Sequence, residues 1–356
     1  MTYASLSPDP EAALAAALAG DVRGVSLLTS GSSGEPRTAL VGGAALRASA
    51  DATHERLGGP GRWFLALPAD RIAGAQVIVR SALAGHAPAR MRPGRFDPRV
   101  FAQAARAART DTAPGVPLYL SLVPTQLRRI SDDRAAASSL SVFDAILVGG
   151  AALGREDAPP QAIETYGSTE TSGGCVYDGR PLAGVDVALD PDGRILVSGT
   201  VLFDGYADDA DDGTELRGGA PWLRMPDAGD LAGGLLTVHG RVDDVIVTGG
   251  FKVHPAVVER ALLALRSIAE ATVVAIPDDE WGERIVALVV PAPGVGAIEE
   301  SALRATLAAA LPRHALPRDV VTVESLPLLD SGKIDRRAAR ALALPPTGGS
   351  RARDDA

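Results

Sequence analysis

The stretch LLTSGSSGEPR, Leu27–Arg37, follows a short apolar strand and contains mostly hydroxyls, small turn residues and a cation. Gly31 and Gly34 can adopt positive φ and let backbone N–H groups approach an anion closely. Hydroxyl donors surround them, at Thr29, Ser30, Ser32 and Ser33. Arg37 adds a planar guanidinium that suits phosphate. The stretch is typical either of a phosphate-binding loop or of a solvated Gly/Ser linker, and the rest of the chain decides between them.

The spacing of this stretch excludes two common phosphate-binding motifs. A Walker loop requires G-x-x-x-x-G-K-[ST], and Gly31 and Gly34 lie too close together for it. A dinucleotide-binding fold requires G-x-G-x-x-G where a helix opens after the first strand, and the stretch lacks that pattern. If this stretch binds phosphate, it does so through a different motif from these two.

Length, composition and charge narrow the possible functions. A single core stops growing near ~250–300 residues, so we expect the 356 residues to form one large and one smaller domain. The hydrophobic content of 46% predicts buried cores. A net charge of -9 without a long basic run argues against nucleic acid as a main partner, although local donors can still bind a small anion.

Cysteine usage and hydropathy indicate the compartment. Cys175 is the single cysteine, so no internal disulfide can form, and a reducing cytoplasm is favoured. The N-terminal segment has no basic residues before its apolar run and is a poor match to a signal peptide. No uncharged apolar run approaches the ~20 residues that span a bilayer. We therefore expect a cytoplasmic protein without a membrane span.

Strand and helix patterns alternate in the first half of the chain and predict an α/β domain with a largely parallel sheet. Near-continuous apolar runs such as RWFLALP and FDAILVGG are typical of strands buried on both faces. Apolar residues at helical spacing predict helices over Pro10–Leu18, Ala39–Leu57, Ile72–Leu83 and Pro124–Ile130.

The pattern changes twice in the second half. From Gly184, VDVALDPDGRILVSG alternates with period two around an Asp-Gly turn, which predicts a hairpin within a small β subdomain. After Arg241, short helices and strands mix again. We predict a large N-terminal α/β domain with this added β subdomain over residues 1–242. A small mobile α+β C-terminal domain is expected over residues 243–345, and a disordered tail over residues 346–356.

Four further stretches place polar residues in turn-rich surroundings. They are ETYGSTETSGG (164–174), with Tyr166, Thr169 and Glu170; DAGDLA (227–232), with Asp230; GRVDDVIVTGGFKVHPAVVE (240–259); and LPLLDSGKIDRRAAR (326–340), with Lys333. Each has an ordinary alternative. Glu170 can be a solvated acid, Asp230 a turn cap and Lys333 a surface amine, and Gly249-Gly250 can be a simple hairpin turn.

In this order and spacing, the five stretches resemble the motifs of the adenylate-forming superfamily, which contains acyl-CoA synthetases, nonribosomal-peptide adenylation domains and luciferases. The resemblance covers the chain from about Leu27 to about Arg340. A narrower resemblance is to the o-succinylbenzoate–CoA ligases of menaquinone biosynthesis in their compact actinobacterial form. The segments that carry it are FLALPADRIAGAQVIVRSALAG, LYLSLVPTQLRRI, ILVGGAAL and TYGSTETSGGCVYDGRPLAGVDV.

The resemblance implies an ATP-dependent acid–CoA ligase that acts on o-succinylbenzoate. The acid's carboxylate would attack the α-phosphate of ATP to give an acyl-adenylate and pyrophosphate, and the thiol of coenzyme A would then displace AMP. The implied cofactors are ATP, Mg²⁺ and coenzyme A, the last as a substrate. Two alternatives stay open: another aryl- or acyl-CoA synthetase or stand-alone adenylation enzyme, and a catalytically inactive relative that only binds nucleotide.

The resemblance also assigns roles to residues that bind the nucleotide. The loop formed by Thr29, Ser30, Gly31, Ser32, Ser33 and Gly34 would wrap the β- and γ-phosphates, with Arg37 where the family usually has lysine. Tyr166 would stack on adenine, in a pocket shared with Gly149, Gly150, Ala151 and Gly167. Asp230 would accept both ribose hydroxyls, assisted by Arg241.

Catalytic and acid-binding roles follow in the same way. Thr169 would bind the α-phosphate, Glu170 would hold Mg²⁺, and Lys333 would bridge the attacking carboxylate and the α-phosphate. Asp243 matches the hinge of the small domain, and the glycines near Thr248–Phe251 would line the pantetheine tunnel. Candidates for the acid pocket are Arg71, Ser168, Thr171, Ser172, Thr125 and Gln126. Arg71 either pairs with the acid's second carboxylate or is a surface arginine.

The chain departs from the family pattern in two places. The region that usually precedes the phosphate loop is almost wholly absent, so we expect part of one sheet to be reduced or replaced, with homodimer contacts as one means. DAGDLA lacks the threonine that is common before the Gly-Asp pair. Neither departure removes a catalytic group.

Overall fold

The structure is a computed structural model that describes residues 2–29, 37–91, 94–150, 158–208, 211–296, 298–328 and 334–344. Its described residues form two compact units, the first reaching Val238 and the second beginning at His239. The domain boundary expected between residues 242 and 243 stays a prediction. The predicted disordered tail over residues 346–356 lies outside the described residues. No helix in the described part of the chain is long and apolar enough to cross a membrane.

The first unit combines five α-helices with three sheets. Its helices are α1 (Pro10–Ala19), α2 (Gly43–Arg56), α3 (Ile72–Leu83), α4 (Pro98–Thr110) and α5 (Pro124–Asp132). Its strands are β1 (Tyr3–Ser5), β2 (Gly24–Leu28), β3 (Thr38–Gly42), β4 (Arg62–Leu65), β5 (Ala89–Arg90), β6 (Leu118–Leu122), β7 (Ala145–Gly149), β8 (Ala162–Ser168), β9 (Gly173–Tyr177), β10 (Arg180–Pro181), β11 (Val185–Leu189), β12 (Arg194–Gly199), β13 (Gly205–Tyr206), β14 (Thr214–Arg217), β15 (Ala220–Ala232) and β16 (Leu235–Arg241). Short 3₁₀ turns lie at Ala137–Val142 and Thr169–Thr171.

The central sheet has seven strands in the order β10-β9-β8-β7-β6-β4-β5. The pairs between β5, β4, β6, β7 and β8 are parallel, and β9 and β10 are added antiparallel at one edge. Adjacent residues of β4 face two different cores, because Trp63 packs with α2 and α3 while Phe64 packs with α4 and α5. This sheet with helices on both faces confirms the α/β prediction.

Two smaller sheets complete the first unit. One contains β1-β2-β3-β13, and the other contains β11-β12-β15-β14 with β16 paired to β15. The hairpin expected around Asp192-Gly193 is present, since β11 and β12 pair antiparallel from Val185–Gly199 to Leu189–Ile195. The first apolar strand, β2, is not part of the parallel sheet. It pairs antiparallel with β3 in the smaller one.

Two local predictions in the first unit were wrong or incomplete. The helix expected from Ala39 begins only at Gly43, because Thr38–Gly42 forms β3 and satisfies its backbone groups against β2. Helix α4 was not predicted at all. Its start carries recognisable signals, since the Asp97 carboxylate caps the N–H groups of Arg99 and Val100, and Pro98 occupies the first turn.

The second unit is an α+β structure built on one sheet. Its strands are β17 (Ile246–Thr248), β18 (Phe251–Val253), β19 (Ile268–Asp278), β20 (Gly282–Pro291) and β21 (Asp319–Thr322), and its helices are α6 (Pro255–Leu263), α7 (Glu300–Leu307) and α8 (Arg336–Ala343). Helices α6 and α7 share one apolar core with the sheet, and α8 shares another. Gly249 and Gly250 form the two-residue turn between β17 and β18, with φ of 56° and 82°. Positive φ at both positions is what such a tight hairpin requires.

Candidate active site

The carboxyl ends of the parallel strands gather many of the predicted site residues of the first unit. Strand β7 ends at Gly149, β8 runs into the turn that carries Thr169 and Glu170, and β6 leads into the start of α5. Ligands of open α/β sheets bind outside these strand ends. Gln126 fixes this edge, since its side-chain amide donates to the Ala66 carbonyl and accepts from the Val123 N–H. Thr125 is exposed beside it.

The phosphate-loop candidate is closed at its base by two hydrogen bonds. The Thr29 N–H donates to the Arg37 carbonyl at 2.8 Å, and the Arg37 N–H donates to the Thr29 hydroxyl at 3.3 Å. Thr29 follows β2 and Arg37 precedes β3, so the loop connects two paired antiparallel strands. Ser30, Gly31, Ser32, Ser33 and Gly34 lie outside the described residues, and their phosphate-binding role stays a prediction.

Arg37 and Glu170 come together through a residue that the sequence did not single out. The Tyr206 hydroxyl donates to Glu170 Oε1 at 2.7 Å, and the Arg37 guanidinium lies 3.5 Å from the centre of the Tyr206 ring. Tyr206 ends β13, which pairs with β3 directly after Arg37. The sequence offers no local signal for Tyr206, because its place depends on the pairing of β13 with β3.

The cluster of Arg37, Tyr206 and Glu170 has a further carboxylate, Asp208, beside its cation. Arg37 forms a bidentate contact with the Asp208 carboxylate at 3.0 and 3.4 Å and donates to the Asp211 carbonyl at 3.3 Å. The hydrogen bond to Asp208 raises the pKa of Arg37. Burial, and then the hydrogen bond to Glu170, raise the pKa of the Tyr206 phenol. Tyr206 therefore stays neutral and acts as a hydrogen-bond donor at any physiological pH.

Tyr166 connects two of the motifs found in the sequence. Its hydroxyl donates to the Asp227 carboxylate at 3.0 Å, which joins ETYGSTETSGG to DAGDLA. Gly167 must be glycine, because a Cβ there would lie 2.2 Å from the Gly173 carbonyl oxygen. Asp230 lies in the extended end of β15 and is exposed. Gly149 and Gly150 follow at the neighbouring strand end, whereas Ala151 lies outside the described residues.

The turn after β8 is stabilised by its own side chains. The Thr171 hydroxyl accepts from the Ser168 N–H at 2.8 Å, and the Ser172 hydroxyl donates to the Val201 carbonyl at 2.7 Å. Thr171 and Ser172 are completely buried. In this structure both hydroxyls hold the turn that presents Thr169 and Glu170. Direct acid binding by Ser168, Thr171 and Ser172 stays a prediction.

Two arginines of the PADRIAGAQVIVR segment differ in their surroundings. Arg71 is exposed and donates to the Leu28 carbonyl at 3.1 Å, beside the base of the phosphate loop. Arg80, nine residues further along α3, is only 3% exposed. No carboxylate of the described residues lies within ion-pairing distance of Arg80, and its Nε has no hydrogen-bond partner.

Arg80 is held by neutral aromatic groups instead. Its Nη2 donates to the Tyr177 hydroxyl at 3.3 Å, and its guanidinium lies 4.9 Å from the Trp63 ring. The Trp63 indole N–H donates to His54 Nε2 at 3.4 Å. Burial, and then the charge of Arg80, lower the pKa of His54. A buried cation without a counter-ion is costly, and Arg80 is placed in such a position by the fold. Arg80 was not singled out from the sequence, because the sequence of an apolar helix does not reveal whether an arginine in it has an ionic partner.

The second unit contains the predicted hinge and the segment around Lys333. Asp243 is exposed and lines a cleft of ≈ 340 Å³ together with Asp244 and Arg336. Lys333 lies outside the described residues. Leu328 and Ile334, which precede and follow it, pair in an isolated antiparallel β-bridge. Arg241 ends β16, which begins in the first unit at Leu235, and it belongs to the second unit. The predicted roles of Lys333, Asp243 and Arg241 stay predictions.

The donor set fits a magnesium ion that is held mainly by a nucleotide. Among the described residues, no three carboxylate, histidine or cysteine side chains gather as a metal site. Mg²⁺ is commonly bound by one or two carboxylates together with substrate phosphates. Glu170, held near the base of the loop by Tyr206, could supply such a carboxylate.

Comparisons with known proteins identify the family. The family model of AMP-binding enzymes matches residues 20–207, and the model of the AMP-binding enzyme C-terminal domain matches residues 257–333. A probable 2-succinylbenzoate–CoA ligase of Mycobacterium tuberculosis is 40% identical over 320 residues, which cover 87% of this chain and 82% of the relative.

Solved structures agree on the fold. o-Succinylbenzoate CoA synthetase (MenE) from Bacillus subtilis, in complex with the acyl-adenylate intermediate OSB-AMP, matches with a TM-score of 0.72 at 24% identity, covering 89% of this chain and 68% of that one. The same enzyme in complex with ATP and magnesium ion matches with a TM-score of 0.73 at 24% identity, covering 89% and 69%.

Proposed function

The chain belongs to the AMP-binding, adenylate-forming enzyme family as an acid–thiol ligase, and from this premise we propose that it converts o-succinylbenzoate to o-succinylbenzoyl-CoA. In the first step the acid's carboxylate attacks the α-phosphate of ATP, forming the acyl-adenylate and releasing pyrophosphate. In the second step the thiol of coenzyme A attacks the acyl carbon and displaces AMP. ATP, Mg²⁺ and coenzyme A are therefore the small molecules that the enzyme uses.

The Arg37–Tyr206–Glu170 cluster supports ATP as the nucleotide. It places a cation and a carboxylate at the base of the loop proposed to hold the phosphates. When Mg²⁺ is bound, it neutralises charge on the phosphates during adenylation. Arg37 and the loop residues would bind the β- and γ-phosphates, Thr169 the α-phosphate, and Lys333 the attacking carboxylate. Tyr166 and Asp230 would position the adenosine.

The likeness to the probable 2-succinylbenzoate–CoA ligase supports the choice of acid, and Arg80 is the residue that we propose to pair with it. o-Succinylbenzoate has one carboxylate that becomes activated and another that stays an anion. The second carboxylate would pair with Arg80, which lies between Trp63 and Tyr177 and has no carboxylate partner among the described residues. Arg71, whose exposed side chain is bonded to the Leu28 carbonyl, stays the alternative partner.

The proposed reaction can be tested with the purified chain in two assays. Pyrophosphate exchange, with o-succinylbenzoate and a panel of monocarboxylic acids, measures the first step. Mass analysis after addition of coenzyme A identifies the thioester. We expect exchange with o-succinylbenzoate and a thioester product. Exchange with fatty or aryl acids but not with o-succinylbenzoate would contradict the choice of acid, and no exchange with any acid would favour the inactive relative.

The role of Arg80 can be separated from the stability of the fold. An o-succinylbenzoate analogue with its benzoate carboxylate esterified should be a poor substrate of the unchanged enzyme. Arg80→Met should lose activity with the acid while discriminating little against the ester. Arg99→Met, at an exposed arginine paired with Asp133, serves as the control. Equal discrimination by the unchanged enzyme and Arg80→Met would exclude Arg80 as the partner of this carboxylate.

A cytoplasmic location and a homodimer stay predictions. The location rests on the single, buried Cys175, and size-exclusion chromatography with light scattering would determine the oligomeric state.

A further inference from the structure

Tyr206 contacts both charged side chains proposed to act on the triphosphate. The Arg37 guanidinium lies over its ring at 3.5 Å, and its hydroxyl donates to Glu170 Oε1 at 2.7 Å. Arg37 is also paired with the Asp208 carboxylate. Tyr206 is thus the residue that fixes the Glu170 carboxylate beside this cation.

The hydroxyl also selects one carboxylate oxygen. Because Tyr206 occupies Oε1 of Glu170, Oε2 is the oxygen left for another partner. The backbone on both sides is fixed. The Phe203 N–H donates to the Glu170 carbonyl at 2.9 Å, and Tyr206 is paired with Ala39 through the strands β13 and β3. Phe203 supports the ring in a T-shaped contact with centroids 4.9 Å apart. Tyr206 is therefore held in place by contacts within the protein itself.

From this geometry we propose that Tyr206 is a positioning residue for Mg·ATP. Its hydroxyl holds Glu170 Oε1, which leaves Oε2 for the metal that would accompany the phosphates, and its ring supports the Arg37 guanidinium. The assignment rests on the proposed function. AMP lacks the β- and γ-phosphates on which Arg37 would act, so Tyr206 should affect Mg·ATP and not AMP. This difference distinguishes positioning from general support of the fold.

Two substitutions separate the hydroxyl from the ring. Tyr206→Phe removes the bond to Glu170 and keeps the ring against Arg37, whereas Tyr206→Leu removes both. Tyr3→Phe is a matched control, because the Tyr3 hydroxyl donates to the Asp204 carboxylate at 2.6 Å outside the cluster. Calorimetry measures the Kd of Mg·ATP and of AMP, and the free Mg²⁺ concentration required at saturating ATP is measured by titration. Thermal unfolding checks each variant.

The hydroxyl variant should raise the Mg²⁺ requirement about tenfold, the effect expected when a hydrogen bond to a charged group is lost. Tyr206→Leu should weaken Mg·ATP binding further, since the ring contact with Arg37 is then lost as well. Tyr3→Phe should bind Mg·ATP like the unchanged protein. An unaltered Mg²⁺ requirement in Tyr206→Phe, or parallel weakening of AMP and Mg·ATP, would overturn the assignment alone. Failure of the unchanged protein to bind Mg·ATP would overturn the proposed function and this assignment with it.

Discussion

Arg336 forms an ion pair with Asp244, with Nε 3.4 Å from Oδ2. The same guanidinium contacts Glu259 at 3.1 Å and donates to the Val273 carbonyl at 3.0 Å. Arg336 opens α8 three residues after Lys333, and Asp244 follows the proposed hinge residue Asp243. The segment that carries the proposed catalytic lysine is thus attached to the chain just beyond the hinge.

Loss of this attachment should impair adenylation selectively. Arg336→Met leaves the base of the Lys333 loop without its anchor, and a misplacement of about 1 Å can cost about 10²-fold in rate. We expect pyrophosphate exchange to fall by that order, while thioester formation from supplied acyl-adenylate falls much less. Arg337→Met, at the adjacent exposed arginine, should leave both rates unchanged. Equal loss of both half-reactions in Arg336→Met would indicate that the residue only stabilises the fold.

The rarity of lysine in this chain makes Lys252 a candidate residue for the thioester step. Of the 35 lysines and arginines in the chain, only Lys252 and Lys333 are lysines. Arginine has been accepted almost everywhere, so a retained lysine indicates a need for a compact ammonium. Lys252 lies beside the Gly249-Gly250 turn, exposed and directly paired with Val247.

Lys252 and Lys333 should therefore affect different half-reactions. Lys252→Arg and Lys252→Met should both slow thioester formation if the step needs the compact ammonium of lysine, because neither a guanidinium nor a neutral side chain replaces it. Both variants should keep pyrophosphate exchange. Lys333→Ala should show the reverse pattern. If Lys252→Arg formed thioester at the unaltered rate, the retained lysine would have no functional meaning.

The stability of the fold should depend on pH through His54. Its pKa is lowered by burial and then by Arg80, with a smaller opposing effect of Asp51. In the unfolded chain His54 takes up a proton near its ordinary value of about 6.5, and in the folded state it does not until a lower pH. The free energy of unfolding should therefore fall as pH falls below about 6.5. Urea unfolding of the unchanged protein and His54→Asn measures this, and His86→Asn, outside the cluster, is the control.

Binding of the acid should be accompanied by proton uptake at the same histidine. A carboxylate beside Arg80 offsets part of the charge that lowers the His54 pKa, so this pKa should rise on binding. Calorimetry in buffers of different ionisation enthalpy measures the protons exchanged. Uptake should be seen with o-succinylbenzoate between the lowered pKa and about pH 6.5, and it should vanish in His54→Asn. No uptake would speak against Arg80 as the anion's partner.

Cys175 should be inert in the folded protein. Burial raises the pKa of its thiol to about 12, and the side chain is completely buried in β9. Only the thiolate reacts with alkylating and disulfide reagents. A thiol reagent at about pH 8 should thus modify the protein only on unfolding, which mass analysis during denaturation can follow. Rapid labelling of folded protein would mean that β9 opens locally.

Local patterns predicted those elements whose signals lie within a few residues. The hairpin at Asp192-Gly193 and the helix Ile72–Leu83 are present as expected. The strand Thr38–Gly42 was mistaken for helix, because its apolar spacing fits both structures and only its pairing with β2 decides. This strand was thus misjudged because its state depends on a distant partner, whereas α4 was missed although its start at Asp97 and Pro98 carries local signals.

The same distinction holds for the candidate site. Tyr166, Glu170 and Arg37 belong to motifs that can be read along the chain, and the structure gives each a partner near the strand ends. Tyr206 and Arg80 have no such motif. Tyr206 matters because β13 brings it to Arg37, and Arg80 because it lacks a counter-ion. Such properties arise only when segments far apart in the sequence meet.

Pairing of the acid with Arg80, as proposed, would affect the protein's lifetime in the cell. A ligand that binds only the folded chain stabilises it by mass action, and the gain is greatest where that ligand neutralises an interior charge. Degradation should then slow when the precursor acid accumulates and quicken when it is depleted. The supply of the acid would thereby influence the abundance of the enzyme that consumes it, without a separate regulatory protein.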